Sequence, residues 1–158
     1  MSVREMSSEE IDQFLTCTRV GRLGMTLESG PYIVPVGFAY SDRKVFFHTC
    51  CKGLKMETLR KNANVCFEVD EALSDATMSK SVIIFGTAEI IEDEKRMIPY
   101  LQKLIDKYRV PLNFDEYMRK PGRNRESELK AARICLITPT KTTSRKLIPK
   151  EALHPNST

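Results

Sequence analysis

The stretch Val20–Thr49, VGRLGMTLESGPYIVPVGFAYSDRKVFFHT, decides the fold. Its apolar residues recur at every second position. Leu23, Met25 and Leu27 alternate with Arg22, Gly24 and Thr26; Tyr32, Val34, Val36, Phe38 and Tyr40 fall on one face of a second run; Val45-Phe46-Phe47-His48-Thr49 makes a third. A period of two is that of a β-strand, whose side chains point alternately to opposite faces. Only Glu28-Ser29-Gly30 and Ser41-Asp42-Arg43-Lys44 separate the runs, too little chain for a parallel crossover, so the strands form an antiparallel meander. Pro35 has no N–H for a ladder, which puts its strand at a sheet edge or breaks it there. Gly24 and Gly37 leave room for another group to lie against the backbone.

Upstream of this stretch, Ser7 and Glu10 fit a capping box, with Met6 and Ile11 placed as a hydrophobic staple. Ile11, Phe14 and Leu15 then form the apolar stripe of a helix. Downstream, GLKMETLRK (53–61) predicts a short helix opened by Gly53 and stopped at Asn62. Val65, Phe67 and Val69 mark a fourth strand, residues 71–80 an acidic loop, and Ser81–Ile91 a long β-branched strand. Met97, Ile98, Leu101, Leu104, Ile105 and Tyr108 keep helical spacing; Pro99 either sits in the first turn of a helix beginning near Ile98 or kinks a longer one. Residues 109–128 read as irregular and basic, with a turn of helix around Asp115–Met118. Leu129–Thr138 is the last clear strand, and a polar tail with room for one more short strand begins at Pro139.

This order excludes a parallel βαβ architecture and predicts a mainly β fold, an antiparallel barrel with peripheral helices, as one domain over residues 1–158. With 158 residues, 41% of them hydrophobic, the chain has enough apolar material for a core without disulfides or metals. The net charge of +4, from 25 bases against 21 acids, is mildly basic and lacks the dense stripe of a nucleic-acid binder. Two local clusters, Arg119, Lys120, Arg123, Arg125 and Lys141, Arg145, Lys146, Lys150, are solvated loops or contacts to an anion. The longest apolar runs, Val82–Phe85 and Ile134–Ile137, are four residues, too short to cross a bilayer as a helix. The N-terminal MSVREMSSEE carries acids and no greasy stretch, so no membrane partner and a cytoplasmic location are expected.

Five cysteines, an odd number with no C-x-x-C, and only two histidines, His48 and His154, argue against both a disulfide framework and a zinc site. Cys17, Cys66 and Cys135 read as small hydrophobes. Nucleophile-elbow, P-loop, G-x-G-x-x-G and H-E-x-x-H patterns are absent. One constellation stands out, His48-Thr49-Cys50-Cys51-Lys52-Gly53-Leu54-Lys55. A strand ends in a polar pair, a glycine loop follows, and a helix begins among lysines. Free N–H groups and the macrodipole attract an anion to a helix start, Gly53 allows close approach, Lys52 and Lys55 supply charge, and Thr49 supplies a hydroxyl donor. A lysine in the first turn opposes the dipole unless an anion lies between. The residues alone leave two readings open: a phosphate site, or an ordinary solvated helix start.

In order and with matching gaps, PYIVPVGFAY (31–40), DRKVFFHT (42–49), KGLKMETLRKNANVCFEV (52–69) and SVIIFGTAEIIED (81–93) resemble the pyridoxamine 5′-phosphate oxidase-like flavin-binding split barrels, nearest the nitroimidazole-resistance (Nim-type) branch. The resemblance covers about residues 4–108. It implies a Greek-key split barrel that binds FMN between two copies of the chain, hence a homodimer. It also implies that His48 and Thr49 meet the FMN phosphate and that Gly53 and Lys55 form the phosphate loop and helix start. Val34, Pro35 and Val36 would lie along the isoalloxazine ring, and Ser81 near its pyrimidine edge. Where the oxidases proper carry an arginine between the loop glycine and lysine, this chain has Leu54, and Lys52 or another basic residue would compensate. The tryptophan-and-arginine C-terminal signature of those oxidases has no counterpart here, and the chain contains no tryptophan. The implied activity is therefore an FMN-dependent oxidoreductase acting on a small-molecule acceptor, nitro compounds included, with NAD(P)H as donor, rather than an oxidase of pyridoxine phosphates. The alternatives are a flavin carrier or sensor without turnover, and a barrel that holds haem through His48 or a cysteine. Cys50 and Cys51 border the loop and would be redox-active only if their surroundings lowered a thiol pKa.

Overall fold

A computed structural model describes residues 2–75 and 77–148. The elements run β1 (Ser2–Arg4), α1 (Ser8–Cys17), β2 (Val20–Leu27), β3 (Gly30–Gly37), β4 (Ala39–Ser41), β5 (Lys44–Cys50), α2 (Leu54–Lys61), β6 (Asn64–Ala72), β7 (Met78–Ile91), α3 (Glu94–Lys107), α4 (Phe114–Met118), α5 (Arg125–Ala131) and β8 (Ala132–Ile148). Every pairing is antiparallel, and the sheet order is β3-β2-β6-β7-β8-β5-β4. Only Phe38 separates β3 from β4, which lie at opposite ends of that order. The sheet must therefore curl until its two ends meet, which makes it a barrel. Strand β6 returns beside β2 after the β2–β5 meander, the return that defines a Greek key. Pro35 is tolerated because β3 pairs on one side only, with Arg22 opposite Pro35.

The inner face carries the alternation read in the sequence. Leu23, Phe38, Val45, Phe47, Phe67 and Val82 are sealed from solvent, and the Phe38 and Phe67 rings pack edge-on at 5.0 Å. A second core lies outside the barrel, where α3 covers β5 and the first half of β8. Phe46, Ile134 and Leu136 face Met97, Leu104 and Ile105 there. These two strands are buried on both faces, which is why they read as continuous apolar runs rather than alternations.

Several expectations need correction. Of the two readings of Pro99, the structure takes the longer helix: α3 starts at Glu94, because the Asp93 side chain accepts from Arg96 N–H at 2.9 Å and caps that earlier start. Pro99 then falls in the second turn on the exposed face, where the carbonyl it leaves unpaired is open to water. The segment 109–128 is not simply irregular: Asn113 and Glu116 form a capping box that opens α4, and Asn124 caps α5. Leu129 belongs to α5 rather than to the last strand. Residues 139–148 are not a tail but the second half of β8, paired with β7 as far as Lys146. Pro139 sits opposite Gly86, where the register shifts and an N–H is not required. Lys150 and His154 lie outside the described residues. Strand β1 was not expected; it pairs with Lys146, Leu147 and Ile148 of β8. Of the three cysteines read as small hydrophobes, Cys135 is buried, Cys66 is half-buried and Cys17 is exposed.

The amino-terminal end is held by one carboxylate. Glu10 accepts from Ser7 N–H in the α1 capping box, and pairs with Arg4 of β1 at 2.6 Å and Lys146 of β8 at 2.8 Å. Those hydrogen bonds hold its pKa far below the usual 4.5. A depressed carboxylate pKa contributes stability above about pH 4.5 that is lost as pH falls through the folded-state value. Glu10→Gln should therefore lower the melting temperature at pH 7, and the gap between variant and parent should close on acidification. Inside the barrel, a Cβ at Gly21 would lie 2.4 Å from the Phe67 ring. Gly21→Ala is expected to cost about 1–3 kcal/mol in urea denaturation through overpacking, and an unchanged midpoint would show that the ring has room to move.

Candidate functional site

Strand β5 ends where α2 begins, and the two meet at a cavity of about 670 Å³. One wall is the run His48, Thr49, Cys50, Lys52 and Lys55; the other is built by α3, α4 and α5, through Leu101, Tyr108, Phe114, Tyr117, Met118 and Arg123 among others. Thr49 is 7% exposed and lines the cavity, and its hydroxyl makes no hydrogen bond with the described residues while keeping some accessible surface. The fully buried polar side-chain atom without a partner among the described residues is Arg133 Nε instead. A hydroxyl left open at a cavity wall can donate to a ligand or to water there.

The start of α2 has the same character. Side chains cap α1, α3, α4 and α5, whereas α2 begins at Gly53 with no side-chain cap. Gly53 adopts φ = 106°, a conformation that L side chains avoid, so the loop can reach the helix start only with glycine there. The first N–H groups of α2 are left for a ligand or water. Neither Lys52 nor Lys55 is ion-paired among the described residues; the Lys55 ammonium lies 5.5 Å from the centre of the Phe47 ring. Burial pushes the Lys55 pKa below the usual 10.5. His48 sits at the solvent-reached rim with protein crowded around it. Loss of hydration, and then the Lys55 charge, hold its pKa below the ordinary 6.5. The Cys50 thiol, exposed on the same rim, is lowered too, chiefly by the Lys52 backbone N–H with help from Cys51 and the Lys52 charge. This corner is thus rich in donors and positive charge and has no carboxylate of its own, a setting suited to an anion.

The remaining expected residues lie elsewhere. Val36 faces the barrel core and Val34 packs against it, while Pro35 is on the outer sheet surface. Ser81, paired with Asp70 and Arg145, shares that outer surface with Ile83 and Phe85. Ser81 is ten residues along β7 from Ile91, and Ile91 and His48 flank the same β8 residue, Ile134. At about 3.3 Å per residue that is roughly 30 Å of strand, so one protomer does not bring Ser81 to the cavity. The outer surface has its own pattern: Ile33, Gly24, Cys66 and Phe85 stand in one cross-strand row, with Ile33 64% and Phe85 43% exposed.

The α3–α5 wall was missed from sequence. Its signals were the Asn113–Glu116 capping box and the two aromatics Phe114 and Tyr117 within residues taken as irregular. Arg123, counted with a basic cluster, pairs with Glu128 at 2.7 Å and stacks on the Tyr117 ring at 4.1 Å. The expected room at the two glycines is used: a Cβ would fall 2.4 Å from the Tyr108 hydroxyl at Gly37 and 2.5 Å from Cys66 Sγ at Gly24. Tyr108 therefore lies between the end of β3 and the cavity. Among the described residues no cluster of ligating side chains could hold a metal ion, and no helix is long and apolar enough to cross a membrane.

A family model described as pyridoxamine 5′-phosphate oxidase matches residues 7–146. An uncharacterized protein of Rhizobium meliloti is 31% identical over 86 residues, 54% of this chain and 56% of that protein, so the match spans about half the length of this curated relative. An FAD-binding protein from Mesorhizobium loti superposes with TM-score 0.70 at 28% identity, covering 94% of this chain and 100% of that one. A candidate 5-nitroimidazole antibiotic resistance protein from Bacteroides thetaiotaomicron superposes with TM-score 0.70 at 18% identity, covering 91% and 87%, a likeness of fold.

If the corner is an anion site, millimolar inorganic phosphate should raise the melting temperature of the parent protein, and Thr49→Val should abolish most of that rise. The His48 imidazole should titrate below 6.5 by NMR in phosphate-free buffer and move upward on phosphate addition, because a nearby anion favours the imidazolium. A His48 titration indifferent to phosphate would remove the anion from this corner.

Proposed function

The chain belongs to the pyridoxamine 5′-phosphate oxidase family, and on that premise we propose that it is a flavoprotein, binding the flavin mononucleotide (FMN) unit and acting as an oxidoreductase on a small organic acceptor. One observation carries the reading: Thr49, whose hydroxyl makes no hydrogen bond with the described residues, and Lys52 and Lys55, neither ion-paired among them, line one cavity at an uncapped helix start, a donor set suited to a flavin 5′-phosphate. The flavin binding of the 28%-identical Mesorhizobium protein supports it.

In this reading Thr49, the α2 N–H groups, Lys52 and Lys55 hold the phosphate, and His48 lines its rim. Its imidazole adds a hydrogen-bonding group there. Arg123 is the basic residue on the facing wall, where Leu54 supplies no guanidinium. The ring would pass the end of β3, where Tyr108 lies over Gly37, toward the exposed Pro35 edge. Bound flavin supplies the hydride and electron transfer, while the protein binds, orients and excludes water. NAD(P)H as donor and nitro compounds among the acceptors follow from the Nim-type resemblance.

A homodimer belongs to the same proposal. Ser81 and Pro35 share an outer sheet surface with the exposed Ile33 and Phe85, and an exposed apolar patch rimmed by polar residues such as Arg22 and Glu68 suits a second copy. In such a pair, a second copy would bring its Ser81 toward the first copy's flavin.

The double variant Thr49→Ala/Lys55→Ala should lose bound flavin at least tenfold, read from visible absorbance, with unchanged far-UV circular dichroism. Retained flavin in the folded double variant would defeat the phosphate assignment. Phe85→Arg should shift the protein from dimer to monomer in sedimentation and lower flavin retention with it. Bleaching of the bound flavin by NAD(P)H, followed by reoxidation by a nitroarene, distinguishes turnover from a carrier.

A further inference from the structure

The cationic corner contains a nucleophile that flavin binding does not use. Cys50 is exposed at the end of β5, lines the cavity, and shares a strand face with His48 two residues earlier. The Lys52 backbone N–H donates to its sulfur, the Cys51 thiol and N–H assist, and the Lys52 charge lies close, so the thiolate is favoured below the ordinary thiol range. Cys51 N–H also donates to the Ala131 carbonyl at 2.7 Å, which ties this loop to the end of α5. An exposed thiolate among cations is the setting of a reactive cysteine. Cys135 shows the opposite: it is buried in the core, its pKa is pushed up to about 12, and it is inert.

A second feature points to what reacts there. Thr49 is 7% exposed, makes no side-chain hydrogen bond with the described residues, and lines the cavity with Lys52 and Lys55, neither ion-paired among those residues. The one acid of the cavity, Glu128 on the facing wall, is held by Arg123 at 2.7 Å. A molecule that reaches the Cys50 sulfur therefore meets donors and positive charge for carboxylates of its own. We infer that Cys50 is a thiol–disulfide exchange site for small disulfides that carry carboxylates, glutathione disulfide among them. The Cys50 thiolate attacks one sulfur of the disulfide, a protein–ligand S–S bond forms, and the ligand's own S–S bond breaks. The departing thiolate takes up one proton, matching the one Cys50 gave to solvent. Cys50 is oxidised and the released half is reduced, so no other oxidant enters. The carboxylates of the adduct lie at Thr49, Lys52 and Lys55, so adduct and flavin phosphate exclude each other, and this exclusion alone rests on the flavin reading.

The experiment incubates the reduced, flavin-free full chain at pH 7 with glutathione disulfide or with cystamine, a disulfide that carries amines, and locates adducts by peptide mass spectrometry. Cys50 should take up the glutathionyl group at least tenfold faster than Cys17, the other exposed cysteine, and Cys50→Ser should abolish that fast phase. With each rate taken relative to a free cysteine peptide, Cys50 should prefer glutathione disulfide over cystamine at least tenfold. Lys52→Glu should remove this preference and leave the Cys17 rate within twofold. Equal rates at Cys50 and Cys17, an adduct on Cys51 in place of Cys50, or a Cys50 rate indifferent to the charge of the disulfide overturns the inference. The glutathionylated chain should then bind FMN at least tenfold more weakly than the reduced chain, whereas Cys50→Ser binds it within twofold. Unchanged FMN affinity in the modified chain overturns the exclusion. A chain that takes up no FMN in either state defeats the functional reading instead, and fast, charge-selective exchange at Cys50 then still upholds the site.

Discussion

The single residue between β3 and β4 constrains everything else in the fold. Those two strands lie at opposite ends of a continuous antiparallel order, and Phe38 alone joins them. A flat or open sheet would need its edges many strand spacings apart, so curvature is compulsory. Phe38 is sealed in the interior against Phe67, and its N–H donates to the Arg19 carbonyl at 3.1 Å. Closure and core packing are therefore the same event. Because β4 pairs with β5, closure also brings the end of β3 near the second core, where Tyr108 covers Gly37.

From that frame the site follows by position. Strand β5 is buried on both faces as far as Phe47, then emerges as His48, Thr49 and Cys50 at the cavity. The turn into α2 needs Gly53 at positive φ, which forgoes a side-chain cap on the helix start. Lysines next to an uncapped start raise local positive charge, and partial burial of Lys55 makes that charge more costly. A site with no carboxylate to neutralise it is poised for an anion from outside. The opposite wall is contributed by helices more than forty residues downstream in the chain, and it brings the aromatic surfaces and the one acid.

How far this could be read from the sequence varied with how local the signal was. Strands β2, β3, β5, β6 and β7 and helices α1 and α2 each carry their own periodicity or cap, so their type was legible within a few residues of their ends; β4 reads as the continuation of β3 until the break at Phe38 gives it a different partner. The gathering of His48, Thr49, Lys52 and Lys55 at one wall was equally legible, because His48 through Lys55 is one continuous stretch. Strand β1 is three residues with no pattern of its own, and it exists only because β8 offers an edge secured by Glu10. The second half of β8, with Lys141, Thr143 and Arg145 pointing outward, reads as polar tail until β7 is known to lie beside it. Leu129 has the composition of a strand neighbour but joins a helix, because Asn124 caps α5 just upstream.

By itself the amino-acid order determined the antiparallel meander, the inward set of apolar residues and the cationic loop ahead of α2. Those depend on periods of two or 3.6 and on neighbours a few positions apart, which a linear chain displays directly. Tertiary structure alone decided that α3, α4 and α5 face the β5–α2 corner across a chamber, and that Pro35 and Ser81 fall on a different surface from His48 and Thr49. The physical reason is that the curl of a closed sheet sets those distances, and no local pattern encodes which residues a curled sheet brings face to face.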